Sequence, residues 1–424
     1  MSSLQKGGAD KNITTPSHRL FHGGVDSSYA WLRLVVSVLL STIGGVGMWS
    51  VVVALPAVQA EFAVARADAS LPYTLTTLGF GIAGVLLGRL SDRLGIVTAI
   101  VVGIVALAMG FTGASYSTSL WQYAAIQGLL IGVGGSATFG PLLSDISMWF
   151  ERRRGLAVGI FMCGNYLAGV VWPPVVQYFI QSSGWRQTYF GIGIFCLLAM
   201  LPLLFVLRRR LPVLGHGVST ENGLSRPLWL AGVSPGAVQW LLILAGTSCC
   251  VAMSMPQVHL VAYCSDLGYG PARGAEMLSL MLACGIVSRV TFGWISDRLG
   301  GLRTLLLGSS LQGIALLFYL PFDGLASLYL VSAMFGLFQG GIVPSYAIIV
   351  REYFPPSEAG ARVGAVIMAT QFGMALGGWM SGAIYDLTGS YHAAFIHGIA
   401  WNLVNVSCAV WLLRRRTVMA PAAA

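Results

Sequence analysis

The chain has 424 residues, of which 56% are hydrophobic and only 9% are charged. That balance excludes a disordered chain and an ordinary soluble enzyme, and it places the protein in a lipid bilayer. The formal net charge is +9, yet the basic residues sit in short clusters between apolar runs, so they read as topology signals and not as a nucleic-acid-binding stripe.

In chain order, residues 1–29 are polar and lack the apolar core of a signal peptide, so a cytoplasmic tail is expected in which the Asn12-Ile13-Thr14 sequon goes unused. Apolar stretches of roughly 20 residues suffice to cross about 30 Å of hydrocarbon. They predict twelve helices over 30–57, 70–90, 96–116, 119–148, 154–180, 185–207, 238–264, 273–296, 302–321, 324–350, 359–385 and 391–413. Residues 30–207 then form one group of six and residues 238–413 a second, with 208–237 as a cytoplasmic linker and 414–424 as a second cytoplasmic tail. With the N-terminus inside, Arg66, Arg186 and Arg273 fall outside, Arg289 falls within the eighth helix, and every other Lys and Arg is cytoplasmic. That asymmetry orients the chain in a cell membrane with both termini cytoplasmic. The seven cysteines lie in or at the ends of apolar segments without metal-like spacing, so free thiols and no metal site are expected.

Sliding the chain along itself by 205 residues brings Gly88-Arg-Leu-Ser-Asp-Arg-Leu-Gly95 onto Gly293-Trp-Ile-Ser-Asp-Arg-Leu-Gly300. The same offset carries Gly155 onto Gly360, Val158 onto Val363, Gly159 onto Gly364 and Gly184 onto Gly389. One constant offset makes the halves duplicates. Six helices per half is an even number, so the halves share one orientation about an axis along the membrane normal. The expected architecture is all-α, two six-helix bundles facing one another across a central cavity.

The pattern Gly-x-x-x-Asp-Arg-x-Gly, present between helices two and three and again between eight and nine, resembles the signature loop of the major facilitator superfamily. The resemblance covers the whole chain. In that family the loop Asp and Arg help latch the cytoplasmic ends of the halves, which implies a gating role for Asp92, Arg93, Asp297 and Arg298. An Asp facing the positive N-terminal end of a neighbouring helix is stabilised there and released when the halves part; the plainer reading is a turn whose charges only set topology. The usual basic residue after the last glycine is missing from the first copy, where Ile96 and Val97 follow, so a weaker first latch is expected. Trp149-Phe150-x-Arg152-Arg153-Arg154-x-Leu156-Ala157-x-Gly159, with Gly164 and Gly184-Trp185-Arg186, is similar to the helix 4–5 junction of the monocarboxylate transporters and their oxalate/formate relatives. Arg153 marks the cytoplasmic rim and joins the gating set, while Gly155, Gly159 and Gly164 are expected to give helix five a face for close packing.

Arg289 lies eight residues before Asp297, about 12 Å along the axis at 1.5 Å per residue, too deep for easy snorkelling. A lone buried arginine costs at least ~3 kcal/mol, so it should face a wet cavity and meet an anion. Positions 285, 286, 292 and 293 are Gly, Ile, Phe and Gly, which puts no acid at helical spacing. The substrate itself can be the missing counter-ion, gripped bidentate; the alternatives are backbone carbonyls of a broken helix or Asp145 across the interface. The family resemblance implies the first, because monocarboxylate transporters carry a substrate-binding arginine in helix eight. Oxalate-type antiporters pair that arginine with a lysine in helix eleven, where this chain has only Gln371, so one charge for one charge favours a monocarboxylate. The helix 1 lysine and helix 8 acid of the animal transporters are absent, which leaves the coupling mechanism open.

His259, near the outer end of helix seven, is the candidate proton carrier, set against ordinary hydrogen bonding in packing. Gln257, beside the bend expected at Pro256, together with Tyr123, Gln127, Gln339 and Tyr346, supplies neutral donors for a substrate or glue between helices. Asn165-Tyr166 reads either way, and Trp49, Trp172 and Trp379 are equally pocket wall or lipid-facing anchor. The function expected is a secondary active transporter moving small organic monocarboxylates by alternating access with proton coupling. Its partners are an organic anion, protons and lipid, with no nucleic acid, no cofactor and no required oligomer. The alternatives are a proton-independent organic-anion exchanger, dicarboxylates included, and a non-transporting membrane sensor. No clustered His/Glu/Asp or Ser/His pair suggests an enzyme, and no P-loop points to ATP.

Overall fold

A computed structural model describes residues 25–209 and 233–415. The N-terminal tail with its sequon, most of the expected linker and the last residues of the chain lie outside these, as do the topology signals Lys6, Lys11, Arg19, Arg210, Arg226 and Arg416.

The regular structure of the described residues is helical. The first four spans are α1 (Ser28–Phe62), α2 (Arg66–Leu94), α3 (Ile96–Ser115) and α4 (Leu120–Trp149). The stretch Gly155–Leu207 then holds two spans, because Gly184 at φ 79°, ψ 160° breaks it into α5 (to 183) and α6 (from 185). The second half contains α7 (Pro235–Asp266), α8 (Pro271–Leu299), α9 (Gly301–Phe318), α10 (Leu325–Tyr353), α11 (Pro356–Thr388) and α12 (Tyr391–Arg414). All twelve expected spans are present. Their order gives two six-helix bundles, α1–α6 and α7–α12.

The repeat is visible in the backbone as well. Gly184 and Gly389 (φ 66°), and Gly95 (φ 91°) and Gly300 (φ 78°), occupy equivalent positions at the same offset and share a positive φ that residues with a Cβ rarely adopt. The helix ends differ from the expected spans most between α1 and α2, which come within four positions of each other, at Phe62 and Arg66. Polar residues there, such as Gln59, Glu61 and Asp68, continue the helices past the hydrocarbon, and Pro56 and Pro72 do not stop them. α7 likewise runs as one helix through Pro256, so the bend expected there does not interrupt it. Real interruptions occur elsewhere: α1 is broken at Gly45, α4 carries a π-helical turn over Gln127–Gly132 and a break at Thr138-Phe139, and α10 is broken at Gly340-Gly341.

The bundles meet along α2 with α11, α5 with α8, and α1 with α7. Of the α5 glycines expected to pack closely, only Gly164 does so, with room for a Cβ limited by the Val38 carbonyl at 3.2 Å; Gly155 and Gly159 have nothing within 4 Å. These two lie near the face that carries both described chain ends.

Arg33 is more than a topology signal. It is 1% exposed and grips Asp145 bidentate, Nε to Oδ2 at 2.7 Å and Nη2 to Oδ1 at 2.8 Å. Its Nη1 donates to the carbonyls of Leu207 at 3.2 Å and Arg209 at 3.1 Å, and its guanidinium lies 4.7 Å from the centre of the Trp149 ring. The cluster ties α1, α4 and the end of α6 together, and it removes Asp145 as a partner for Arg289. Deleting one member of a buried pair strands the other charge and costs about 3–5 kcal/mol. Asp145→Ala is therefore expected to lower the unfolding midpoint of the purified protein sharply, while Arg33→Met combined with Asp145→Leu recovers most of the loss; thermal unfolding in detergent measures both.

Candidate functional site: a central cavity with one arginine

Between the bundles lies a cavity of about 170 Å³, walled by α1, α2, α4, α5, α7, α8, α10 and α11. Ligand sites for drug-sized molecules run to roughly 300–1,000 Å³, so this space suits a small solute. The breaks described above contribute to its wall through Gly45, Gly132 and Thr138. Arg289 is the one charged side chain on that wall among the described residues. It makes no ion pair there, and its Nε is buried without a hydrogen-bond partner. The guanidinium carbon lies 4.2 Å from the centre of the Tyr166 ring.

Of the other residues expected at the site, Gln257 and Gln371 line the cavity. Gln339 does not; it stands behind Gln257 and accepts its side-chain amide at 2.8 Å. Gln127 and Tyr123 are similarly one layer back, where Gln127 donates to Tyr123 Oη at 3.0 Å and to Tyr189 Oη at 3.2 Å. Thr76, which does line the cavity, reaches Gln127 Oε1 at 3.3 Å. Tyr346 is fully buried between α10 and α12, donating to Asn405 Oδ1 at 3.2 Å. His259 is also fully buried and away from the wall; its Nε2 donates to the Gly378 carbonyl at 2.7 Å, which leaves Nδ1 buried without a partner. Residues left without a firm role by the sequence do reach the cavity: Asn165, Tyr166 and Trp49, the last with a buried, unpartnered indole N–H. Trp172 instead bonds the Thr42 carbonyl at 2.7 Å inside the first bundle, and Trp379 is 39% exposed.

The cavity is closed at the end away from the chain termini by a clamp that crosses between bundles. Asp386 on α11 accepts the backbone amides of Arg66 at 2.8 Å and Ala67 at 2.7 Å, so its carboxylate caps the N-terminus of α2. Arg66 in turn pairs with Asp266 at 3.1 Å, donates to the Tyr391 hydroxyl, and lies 4.8 Å from the centre of the Tyr385 ring. Beyond its count as an outward-side charge, Arg66 carried no signal in the linear pattern; only the offset of 205 hints at it, since Glu61 and Arg186, an ion pair within the first bundle, fall on Asp266 and Tyr391.

The other end carries the charged residues of the two signature loops and of the α4–α5 junction. Asp92, Arg93, Arg153, Asp297 and Arg298 are exposed, and none makes an ion pair among the described residues. Arg298 instead lies 3.8 Å from the centre of the Trp294 ring. At this face Glu352 does sit on a helix N-terminus, accepting the Gly301 amide of α9 at 2.9 Å.

This plan, two repeated bundles around a cavity clamped at one end, has a counterpart in sequence comparison: the family model described as Major Facilitator Superfamily matches residues 37–327 and 276–423. The chain belongs to the major facilitator superfamily. Within the superfamily it is similar to monocarboxylate transporter 13 of Bos taurus, 31% identical over 331 residues, which covers 74% of this chain and 73% of the relative. It is also similar to monocarboxylate transporter 12 of Homo sapiens, 25% identical over 72% of this chain and 65% of that one, and to the MFS-type transporter pynF of Aspergillus niger, 25% identical over 72% and 69%. A solved bacterial homologue of the human lysosomal transporter Spinster, in an inward-facing and occupied conformation, shares the fold with a TM-score of 0.75 at 12% identity, covering 93% of this chain and 100% of that one.

In a major facilitator protein with one end clamped, loosening the clamp should let that end open. Arg66→Gln and Asp386→Asn are each expected to lengthen the distance between spin labels placed on the exposed Tyr116 and Leu387, one in each bundle. Pulsed electron–electron resonance measures it, and an unchanged distance distribution in both variants would show that the clamp does not hold the bundles together.

Proposed function

We propose that this major facilitator protein carries small organic monocarboxylate anions across a cell membrane by alternating access, with Arg289 as the carboxylate site. The observation that carries the reading is a guanidinium on the cavity wall with no carboxylate beside it among the described residues. A solute carboxylate would satisfy it with two parallel N–H···O bonds. The size of the cavity and the single charge favour a small monoanion, and the printed names of the mammalian relatives point the same way.

With both termini cytoplasmic, the clamped end faces outward and the conformation described is inward-open. Residues 30–207 and 238–413 are the two moving bodies, and 208–237 joins them in the cytoplasm. On closing the inner end, Asp92, Arg93, Arg153, Asp297 and Arg298 re-form the latch, while the Arg66 clamp opens. Gln257, Gln371 and the Trp49 indole supply neutral hydrogen bonds around the anion, and Gln127, Tyr123, Gln339 and Tyr346 hold the wall from behind. An empty Arg289 disfavours an occluded, dehydrated cavity, whereas the neutralised pair permits it.

Proton coupling is assigned to His259. Its Nδ1 is buried without a hydrogen-bond partner, and its ring centre lies 5.8 Å from that of Tyr391 in the clamp. Protonation would set a second positive charge near Arg66 and loosen the outer gate.

The test is uptake of labelled acids into proteoliposomes with and without an inward proton gradient. Saturable uptake stimulated by the gradient in wild type, and lost in Arg289→Gln, is the expected result; uptake unchanged in Arg289→Gln would make that arginine structural. His259→Gln is expected to abolish gradient stimulation while leaving exchange of acid for acid intact. If wild-type uptake ignores the gradient altogether, the protein is an anion exchanger without a coupled proton.

A further inference from the structure

Tyr166 belongs to α5 in the first bundle and Arg289 to α8 in the second, yet the guanidinium lies over the tyrosine ring, 4.2 Å from its centre. The ring reaches across because Gly285, one turn before Arg289, has no side chain. A Cβ built there would overlap the ring Cε1 and stand 2.7 Å from Cδ1. Tyr166 is 9% exposed, so it is wedged in the interface and does not swing freely.

We propose that Tyr166 is a positioning residue for the anion site, holding the Arg289 guanidinium from the opposite bundle so that the site is complete only while α5 and α8 keep this register. The inference rests on the reading of Arg289 as the carboxylate site and adds how the affinity of that site is tied to the position of the bundles. An arginine side chain has about 2 kcal/mol of rotamer entropy to lose on binding. A ring beneath the guanidinium restricts it beforehand, and the attraction between cation and ring face leaves the coplanar N–H edge free for a carboxylate. No acidic side chain on the cavity wall competes for that edge among the described residues. When the bundles rock, α5 and α8 shift against one another, and the ring and the guanidinium part. The acid is then held less tightly, which favours release on the side that opens.

Three substitutions test this in proteoliposomes, with labelled L-lactate, pyruvate and benzoate as probes. Tyr166→Leu removes the ring and is expected to raise KM roughly 2- to 30-fold, the range spanned by cation–π contacts, with little change in maximal rate. Tyr166→Phe keeps the ring face and should keep KM within about twofold of wild type on the same scale. Gly285→Ala pushes the ring away and should raise KM as Tyr166→Leu does, but add nothing once Tyr166 is already Leu, because contacting residues are not additive. The double variant shows that Gly285→Ala acts through the ring, and recovery by Tyr166→Phe with maximal rate unchanged separates a held guanidinium from a structural defect.

The proposal is overturned if Tyr166→Leu leaves KM unchanged, if Tyr166→Phe and Tyr166→Leu shift it alike, or if the Gly285→Ala effect persists in full in the Tyr166→Leu background. Should Tyr166→Leu fail to fold, Gly285→Ala with wild-type KM overturns it alone, and Gly285→Ala with raised KM and unchanged maximal rate supports it. If Arg289→Gln abolishes uptake while the Tyr166 and Gly285 variants behave as wild type, only the positioning role fails. If wild type carries none of the three acids, or Arg289→Gln carries them unchanged, the reading of the site itself fails, and this inference with it.

Discussion

A charge inside a membrane protein persists only where something compensates it, and the buried arginines of this chain are arranged around that constraint. Arg33 is met by Asp145 within one bundle, and Arg66 by Asp266 and Tyr391 across two. Arg289 alone on the cavity wall is met by an aromatic face and no anion among the described residues. The first contact sets the shape of a bundle, the second joins the two bundles at one end of the cavity, and the third stands on the cavity wall between them. Most of what the molecule can do follows from these three different answers to one energetic problem.

The duplication explains how two of those answers are related. In the first half, Glu61 at the end of α1 pairs with Arg186 at the start of α6, at 2.6 Å, and both belong to the same bundle. In the second half the acid is kept as Asp266, but the arginine position is Tyr391. That acid is therefore open to a cation from elsewhere, and Arg66 of the first bundle supplies it. A pair held within one bundle thus has, at the equivalent place in the repeat, a pair that crosses between bundles.

Around the cavity the polar residues form two layers. Thr76 and Gln257 face the cavity, and Gln127 and Gln339 stand behind them at hydrogen-bonding distance. A glutamine buried among helices needs such partners, since an unsatisfied amide in a dry interior costs free energy. The outer layer holds the inner one in place, which keeps a small site ordered without adding charge to it. The interruptions of α1 and α4 border the cavity and that of α10 is packed against α8, the two settings in which irregular backbone is tolerated at membrane depth.

Hydrophobic length and the placement of arginine and lysine were enough to read the twelve spans and their grouping, because the bilayer demands apolar runs of defined length and leaves few alternatives. The repeat was equally legible, since it depends only on residues matching at one offset, and the depth of Arg289 followed from its distance along a helix to the polar loop. The direction in which a side chain points was not legible, nor was the layer it occupies. Tyr123, Gln127, Gln339 and Tyr346 are polar residues on the helices expected to border the cavity, but a helix has a front and a back, and its rotation is set by packing against neighbours. Nor could one chain in linear order announce that Arg66 would meet Asp266, Asp386 and Tyr391, or that Tyr166 would slide into the notch at Gly285. Those contacts join residues from opposite bundles. Each depends on where two separately formed six-helix bodies come to rest, and that is decided only when their surfaces meet.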